Sequence, residues 1–423
     1  MARWTAEKDG IFYFKKETTR GTFVAPSTEL INSITKSRDV ARVSGLDITL
    51  EEVLRQSRLW GQSNAPQDAD AERVGVNVDF STEPLIPKTI AAGTKLEMSS
   101  LLENVFGKRS ASQSATVGEL FEIPKDDGSD SAWPNEVYHT VYKKTVTRQL
   151  AASGLIIRTF GIDASRPGFW NFTFSGQAFK IASFVSFTGR IAGSGAELKH
   201  IMPPLTTDHI EDFVKLGNII KLGKTGTPGL VEKLVESNPA LTASNYAENG
   251  QSGTVGNVEV LDGLAPPEFA DTQSSANGNQ GRIELSDSRV NPDDFEGFDV
   301  DTMDLQFDTG RTVNRTSLGQ DALDPVVDED RESRFSVAFK LPRESALILN
   351  KMDNRVYFKV RIRVGDYRKP HILAQLNRVQ FARGRTNYTG RGFAIVNATG
   401  RLSVANPITD LDMTLQLVPG IAG

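Results

Sequence analysis

The chain has 423 residues, of which 39% are hydrophobic and 24% are charged, and its formal net charge is −5. This composition is typical of a globular protein, and the negative charge argues against a surface that coats nucleic acid. There is no cysteine, which excludes disulfides, thiol nucleophiles and cysteine-ligated metal sites. No apolar run approaches the length of about 18 residues that a membrane span needs, so we expect neither a membrane span nor a secretory signal.

Residues that commonly carry catalysis are sparse. The histidines form no metal-binding motif of the HExxH or HxH kind: His139, His200, His209 and His371. No serine stands in the spacing of a nucleophile elbow. Residues 223–225, Gly-Lys-Thr, lack the rest of a phosphate loop and are interpreted as a strand end and turn. Carboxylate pairs such as Asp299 and Asp301 do not continue into a calcium-binding loop. We therefore expect no enzyme activity, no cofactor and no metal site.

Strands dominate the elements that the sequence predicts, because apolar and polar residues alternate with a period of two. In chain order, alternation or apolar runs predict strands at 74–80, 154–160, 169–176, 335–341, 356–364, 373–381, 393–400 and 411–417. Short helices are predicted at 98–106, 207–216 and 344–352. Half-buried strands of this kind favour antiparallel sheets with one packed face.

The same order of elements occurs twice. Residues 45–48 (Gly-Leu-Asp-Ile) and 297–300 (Gly-Phe-Asp-Val) each open a strand. Each is followed by a polar loop, at 61–72 or 308–333, by an alternating strand, by a proline and by a short helix. An ordered series of matches indicates a duplicated β-domain. We predict a first domain at 1–192, a linker or insertion at 193–281 and a second domain at 282–423. The linker is rich in Gly, Ser and Asn, which predicts partial flexibility, and a short hairpin is predicted near 213–220.

Charge is distributed in blocks along the second domain. Residues 287–332 contain 14 acidic and 4 basic residues, whereas residues 355–401 contain 11 basic and 1 acidic. For any single residue, a solvated strand face or loop is the simplest explanation. As blocks, an acidic and a basic surface favour head-to-tail association of copies. The predicted subunit interface comprises Asp321, Asp324, Asp328, Glu329, Asp330, Glu332, Arg361, Arg363, Arg383 and Arg385.

Five segments together resemble the tail tube (major tail) proteins of long-tailed bacteriophages. They are 16–26 (KETTRGTFVAP), 45–52, the strand at 74–80, 101–107 and the pair of strands at 154–176. Residues 282–418 resemble a second domain of the same type. The resemblance implies a mainly β fold of two tandem antiparallel β-sandwich or barrel domains, each with a short helix. It also implies a structural virion protein, present in the tail and, during assembly, in the host cytoplasm.

The resemblance further implies the partners. Copies of the chain would form rings that stack into a hollow tube for genome delivery, with a trimer of pseudo-sixfold symmetry expected and a hexamer as the alternative. Tape measure, terminator and tip proteins would contact the tube, and DNA would pass through it transiently. A lumen should repel phosphate weakly, because each Lys or Arg contact adds affinity for DNA. The predicted lumen residues are Asp47, Thr49, Glu51, Asn77, Asp79, Asp301 and Asp304.

Two other classes remain open at this point. Another virion component, such as a tail terminator or a capsid decoration protein, shares the same assembly physics. A β-rich carbohydrate-binding protein would use surface aromatics, for which Trp133, Tyr138, Phe169 and Trp170 are the candidates.

Overall fold

The structure of the protein is a computed structural model. It describes residues 11–24, 43–56, 69–91, 94–96, 98–110, 118–122, 137–144, 148–165, 170–185, 188–192, 199–201, 219–224, 231–234, 258–262, 273–276, 281–287, 294–313, 325–327, 333–341, 347–382, 385–388, 394–403 and 413–420.

Three groups of elements follow one another along the chain. The N-terminal half contains helix α1 (Ser99–Phe106) and strands β1 (Ile11–Lys16), β2 (Val43–Gln56), β3 (Ala69–Thr82), β4 (Leu85–Pro87), β5 (Lys108–Ser110), β6 (Leu120–Glu122), β7 (His139–Lys144), β8 (Arg148–Ser165), β9 (Trp170–Ala178) and β10 (Lys180–Val185). The middle segment contains β11 (Thr188–Ala192), β12 (Lys199–Ile201), β13 (Ile219–Lys224), β14 (Val231–Leu234), β15 (Val258–Asp262) and β16 (Gln273–Ser275). The C-terminal half contains helix α2 (Leu347–Asp353) and strands β17 (Arg282–Asp287), β18 (Glu296–Asp308), β19 (Arg311–Val313), β20 (Pro325–Val327), β21 (Arg334–Leu341), β22 (Tyr357–Val364), β23 (His371–Phe381), β24 (Arg385–Tyr388), β25 (Ala394–Leu402) and β26 (Met413–Val418).

The prediction of a mainly β, antiparallel fold is confirmed. The alternating stretches at 74–80, 335–341, 356–364 and 411–417 lie in β3, β21, β22 and β26. Strand β26 shows the expected pattern, with every second residue buried from Met413 to Leu417. Two of the three predicted helices are present, and the third, at 207–216, lies outside the described residues. Helix α1 ends at Gly107, which has a φ of 72° and donates its N–H to the carbonyl of Glu103. A left-handed residue of this kind is a common helix C-cap.

The two halves repeat the same order of antiparallel pairings. In the N-terminal half, β1 pairs with β7, β7 with β8, β8 with β10 and β9, β9 with β3, and β3 with β2. In the C-terminal half, β17 pairs with β22, β22 with β23, β23 with β26 and β25, β25 with β21, and β21 with β18. Even a local irregularity recurs: the register shifts between His139 and Val141 on β7 and between Phe358 and Val360 on β22. These residues belong to the related stretches 137–141 (VYHTV) and 356–360 (VYFKV).

The C-terminal half has one further pairing, between β17 and β18. With it, β17, β18, β21, β25, β23 and β22 form a closed sheet of six strands. Closure pairs the backbone groups that a strand edge would otherwise expose.

Strand β8 connects the two halves of the molecule. Its first part lies between β7 and β10, and its last part lies between β9 and β18. A single cluster of buried hydrophobic side chains extends through both halves, from Phe14 to Leu417. The seven strands β2-β3-β9-β8-β18-β21-β25, in that order, are called here the shared sheet.

The predicted loops and linker contain more paired strands than the sequence indicated. A polar loop was predicted over 308–333, but 311–313 and 325–327 pair as β19 and β20. The loop predicted at 61–72 is likewise shortened, because β3 begins at Ala69. In the middle segment, β11 to β15 form a five-stranded sheet, in which β13 pairs with β14 and β15. Residues 213–214 of the predicted hairpin lie outside the described residues, and the strand end predicted near Gly223 is confirmed by the end of β13 at Lys224.

Glu17 organises the turn that follows β1. Its carboxylate is buried, with 8% relative exposure. It accepts hydrogen bonds from the N–H groups of Gly21 and Gly154, both at 2.7 Å, and from the Thr140 hydroxyl at 2.8 Å. Burial raises the pKa of this carboxyl despite the three donors. The side chain thus ties the N-terminal segment to β7 and β8.

Candidate functional site

The shared sheet has one apolar face and one polar face. The apolar face is packed into the core with residues such as Val78, Phe80, Phe160, Phe174, Leu305, Phe335 and Val396. The opposite face carries short polar side chains that are exposed or half-buried: Asn77, Asp79, Asn171, Thr173, Ser175, Asp163, Thr302, Asp304, Gln306, Ser336, Asn397 and Thr399. This second set is called here the polar face. It crosses from one half of the chain to the other without interruption.

The charges of the polar face are unequally distributed. Acidic residues lie on β3, β8 and β18, where Asp79 and Asp304 are exposed and Asp163 is half-buried. The exposed Arg334 and Arg401 lie directly opposite each other on β21 and β25. On β3, β9 and β18 the described side chains of the polar face are therefore acidic or neutral. Exposed basic side chains are Arg158, in a β-bulge of β8, and Arg334 and Arg401 towards β25.

The predicted lumen residues are all on strands of the shared sheet. Asn77 is half-buried and Asp79 is exposed on β3. The register of β2 places Thr49 opposite Asn77, Asp47 opposite Asp79 and Glu51 opposite Gly75. The side chains of Asp47, Thr49 and Glu51 lie outside the described residues. Their assignment to a lumen stays a prediction.

A β-bulge brings Asp301 and Asp304 to the same side of β18. In a regular strand, residues three apart point to opposite faces. The register shifts between Val300 and Thr302, so that Asp301 is the extra residue. Asp301 then forms an ion pair with Lys340 of β21 at 3.4 Å, while Asp304 is exposed on the polar face.

The predicted interface residues fall into two groups. Arg361 and Arg363 lie on β22 and have contacts within the chain: the Arg361 guanidinium stands 3.7 Å from the centre of the Phe295 ring, and Arg363 Nε donates to Glu284 at 3.0 Å. Arg385 lies on β24, but its side chain is outside the described residues. Arg383 and the six predicted acidic residues, Asp321, Asp324, Asp328, Glu329, Asp330 and Glu332, are also outside them. The interface stays a prediction.

The contact between β8 and β18 joins the halves and is called here the junction. Seven residue pairs are in register, from Thr302 opposite Ser165 to Asp308 opposite Thr159. Beneath the strands, the ring of Phe307 stacks on that of Phe106 in α1 at 6.1 Å, with 8° between the planes. The junction therefore combines backbone hydrogen bonds with buried aromatic contacts.

Two side chains that follow β18 extend the junction. The Thr309 hydroxyl donates to the carbonyl groups of Ile157 and Arg158 at 3.1 and 2.9 Å. Arg311 is 5% exposed, and its guanidinium donates to the carbonyl of Asn104, near the C-terminal end of α1, and to that of Ile157. A cation at this position interacts favourably with the helix dipole.

Two carboxylates face each other across the junction. Asp304 stands directly opposite Asp163 in the antiparallel register. Burial, together with the neighbouring Asp304, raises the pKa of Asp163. Burial also raises the pKa of Asp304. The two carboxyls therefore titrate as an interacting pair, and both are harder to ionise than a solvated aspartate.

Sequence reasoning missed Asp163 and most of β9 as site residues. The strand was predicted to end at residue 160, but β8 continues to Ser165. The alternation of Trp170, Phe172 and Phe174 with polar residues on β9 was a signal that could have placed Asn171, Thr173 and Ser175 on the polar face. No pattern indicated that β8 would pair with a strand about 140 residues later.

Buried polar groups elsewhere have structural partners. Arg363 bridges Glu284 and His371, with its Nη1 2.8 Å from His371 Nε2. Burial lowers the pKa of His371, and it lowers the pKa of the fully buried His139 to about 3. Both imidazoles are therefore neutral at pH 7. Within the described residues, no group of three or more His, Asp or Glu is arranged to hold a metal ion.

Two of the four aromatic residues considered for carbohydrate binding are described by the structure, and both are buried. Trp170 is completely buried and Tyr138 is 8% exposed, and Trp133 and Phe169 lie outside the described residues. A buried ring cannot stack on a sugar, so the structure gives this alternative no support.

Comparison of the chain with protein-family models and with curated proteins found no match. In the described part of the chain, no helix has the length and apolar character needed to cross a membrane.

Proposed function

We propose that this protein is a structural subunit that assembles into stacked rings and forms the hollow tail tube of a long-tailed bacteriophage. In this proposal the tube is the conduit for the viral genome, and the polar face lines its lumen. Three chains, each supplying two similar halves, make one ring with pseudo-sixfold symmetry. The observation that carries the proposal is the shared sheet, which passes from one half of the chain to the other. The same face is polar on every strand whose side chains are described, from β3 to β25.

The repeated order of pairings supports this function. A closed ring needs each unit to join its neighbour through equivalent surfaces. The chain contains two units with the same pairing order, and the junction already joins them edge to edge. The resemblance of segments 16–26, 45–52 and 74–80 to tail tube proteins points in the same direction.

The chemistry of the polar face is suited to a passing polyanion. DNA is held by Lys and Arg contacts to phosphate, and each contact adds affinity. Short neutral side chains and the carboxylates of Asp79, Asp163 and Asp304 add no such contact. The exposed basic side chains described on these strands are Arg158, Arg334 and Arg401. A lumen lined in this way offers few phosphate contacts, so DNA can slide.

Assembly is the first test. The purified protein is concentrated over a range of salt concentrations and studied by sedimentation velocity and negative-stain electron microscopy. We expect rings or tubes with a central hole. Monomers alone under all conditions would refute the proposal, and solid or capsid-like particles would favour a different virion component.

The charge of the lumen is the second test. The double variant Asp79→Arg, Asp304→Arg should still assemble, but its tubes should retain short duplex DNA that wild-type tubes release. The double variant Glu122→Arg, Asp353→Arg provides a control with the same change of charge, because Glu122 on β6 and Asp353 at the end of α2 are not on strands of the shared sheet. If the control and the lumen variant retain DNA equally, the polar face does not line the lumen.

The segment between β19 and β20 is proposed to support stacking of the rings. A deletion that tests this role must spare Gly310 and Arg311, which are buried at the junction. Val313 and Pro325 lie opposite each other at the ends of β19 and β20, so the deletion replaces residues 314–324 with a two-residue Asn-Gly turn that lets both strands pair. We expect a folded protein whose rings do not stack, and normal tubes would exclude the role.

A further inference from the structure

Strands β2 and β18 occupy the same place in the pairing order of the two halves. Each pairs along one edge with the next strand of its own half, β3 or β21. The second edge of β18 is covered by β17 over residues 296–299 and by β8 over residues 302–308. Among the residues that the structure describes, no strand pairs with the second edge of β2.

Strand β8 likewise has a counterpart in the C-terminal half. Its first part corresponds to β23, which lies between β22 and β26 as β8 lies between β7 and β10. Its last part, which pairs with β9, corresponds to β24, which pairs with β25. The last part of β8 has a second partner in β18, whereas β24 has no second partner within the described strands.

The helices show the same difference. Helix α1 lies against β8 at the junction, where Leu101 and Leu102 are completely buried and Arg311 of the other half contacts its C-terminal end. Helix α2 contacts β23 in the corresponding place, but its Leu347 is 69% exposed. The other half of the chain covers α1 at this place, and by analogy we expect a neighbouring molecule to cover α2.

The geometry points to a second copy of this chain as the missing partner. We propose that the junction inside one chain is repeated between chains, with the second edge of β2 in one copy paired antiparallel to the second edge of β24 in the next. The contact rests on the proposed function, since it names the strands by which the subunits of a ring join. Each chain offers one edge of each kind, so the association is head to tail and closes when the ring is complete.

The charges of the two strands agree with this pairing. Strand β2 contains Asp47, Glu51, Glu52 and a single basic residue, Arg55. Strand β24 contains Arg385 and no acidic residue. Opposite net charges favour the pairing of β2 with β24 over the pairing of two β2 edges.

Cysteine cross-linking tests the contact directly, because the natural chain has no cysteine. Thr49→Cys, Glu51→Cys and Val53→Cys, which share one face of β2, are each combined with Thr386→Cys or Asn387→Cys, which lie on opposite faces of β24. The set samples several registers and both possible orientations of β24. Each double variant is assembled under reducing conditions, oxidised and analysed by denaturing gel electrophoresis.

Two control variants calibrate the experiment. Asp163→Cys with Asp304→Cys places two thiols directly opposite each other in the junction and should give a disulfide within one chain. Asn397→Cys, combined with the same β2 variants, places the thiol on β25, one strand further from the proposed contact, and should give no link. Melting temperatures of the reduced variants identify any that do not fold.

We expect at least one β2–β24 variant to give a ladder of covalently linked chains, whose longest member counts the chains in a ring. Assembled rings without any β2–β24 link, while the Asp163–Asp304 control oxidises, would overturn this contact and leave the proposed function standing. Equal linking by the Asn397 control would also overturn it. Monomers alone under reducing conditions would refute the proposed function and this contact together.

Discussion

The facing carboxylates of Asp163 and Asp304 should weaken the junction at neutral pH. Side chains directly opposite each other in an antiparallel pair have Cβ atoms about 5 Å apart. At that distance two like charges repel by about 0.8 kcal/mol in water and by about 3 kcal/mol at an effective dielectric constant of 20. Asp304 is exposed, so the lower end applies, and we expect Asp304→Asn to raise the free energy of unfolding by about 1 kcal/mol.

The effect should depend on pH in a definite direction. The pKa of Asp163 is raised in the folded protein, so the folded state binds this proton more tightly than the unfolded state does. Stability is therefore lost as pH rises through the folded pKa of Asp163, and it is regained as pH falls. Asp304→Asn should flatten this dependence, and 0.5 M salt should reduce the difference from wild type by screening.

A double-mutant cycle measures the interaction. Urea unfolding of Asp163→Asn, Asp304→Asn and the double variant, at low salt and pH 7, should give a coupling energy of about 1 kcal/mol. Asp353→Asn, a change of the same type at an exposed position, should change stability little. A coupling energy of zero, or a stabilisation that persists at pH 3, would show that the two carboxylates do not interact.

Three further predictions concern buried polar groups. Glu17→Ala leaves two buried N–H groups without their acceptor, at about 1–3 kcal/mol each, and should lower the melting temperature; an unchanged value would show that water replaces the carboxylate. His139 has a folded pKa of about 3, so stability should be lost as pH falls below about 6.5. His139→Phe introduces the residue found at the corresponding position, Phe358. In urea unfolding at pH 7 and pH 4.5, the free energy of unfolding of this variant should fall less between the two pH values than that of wild type. Arg311→Ala should destabilise the protein by about 1–3 kcal/mol through the lost donor at the end of α1, and no change in urea unfolding would contradict its role in the junction.

The strands could be predicted because their signal is local. Alternation along β21 or β26 depends on neighbouring residues, and one buried face is enough to produce it. Pairing partners are different, since any edge strand offers the same backbone donors and acceptors. Nothing in the sequence of β8 distinguishes β18 from other partners, so the junction could not be predicted.

The candidate site was predicted in part, for the same reason. Asn77, Asp79 and Asp304 were identified because polar residues alternating with a hydrophobic stripe must lie on the opposite face. Asp163 was missed because the strand was predicted to end at residue 160, although Ile162 and Ala164 continue the buried alternation of β8. Gly161 lies on the polar face opposite Thr173, where a Cβ would collide with the Thr173 hydroxyl.

Synthesis of the chain gives the junction a particular vulnerability. Strand β8 is complete at Ser165, but its partner in β18 begins to pair only at Thr302. At a ribosome speed of about 5–20 residues per second, roughly 7 to 30 s pass between the two. Throughout that delay one edge of β8 in the nascent chain has no partner, and the β18 of another molecule can pair with it once that β18 has separated from its own β8. Crowded polysomes should therefore yield strand-exchanged dimers, and slower translation between the codons of Ser165 and Thr302 should increase their yield.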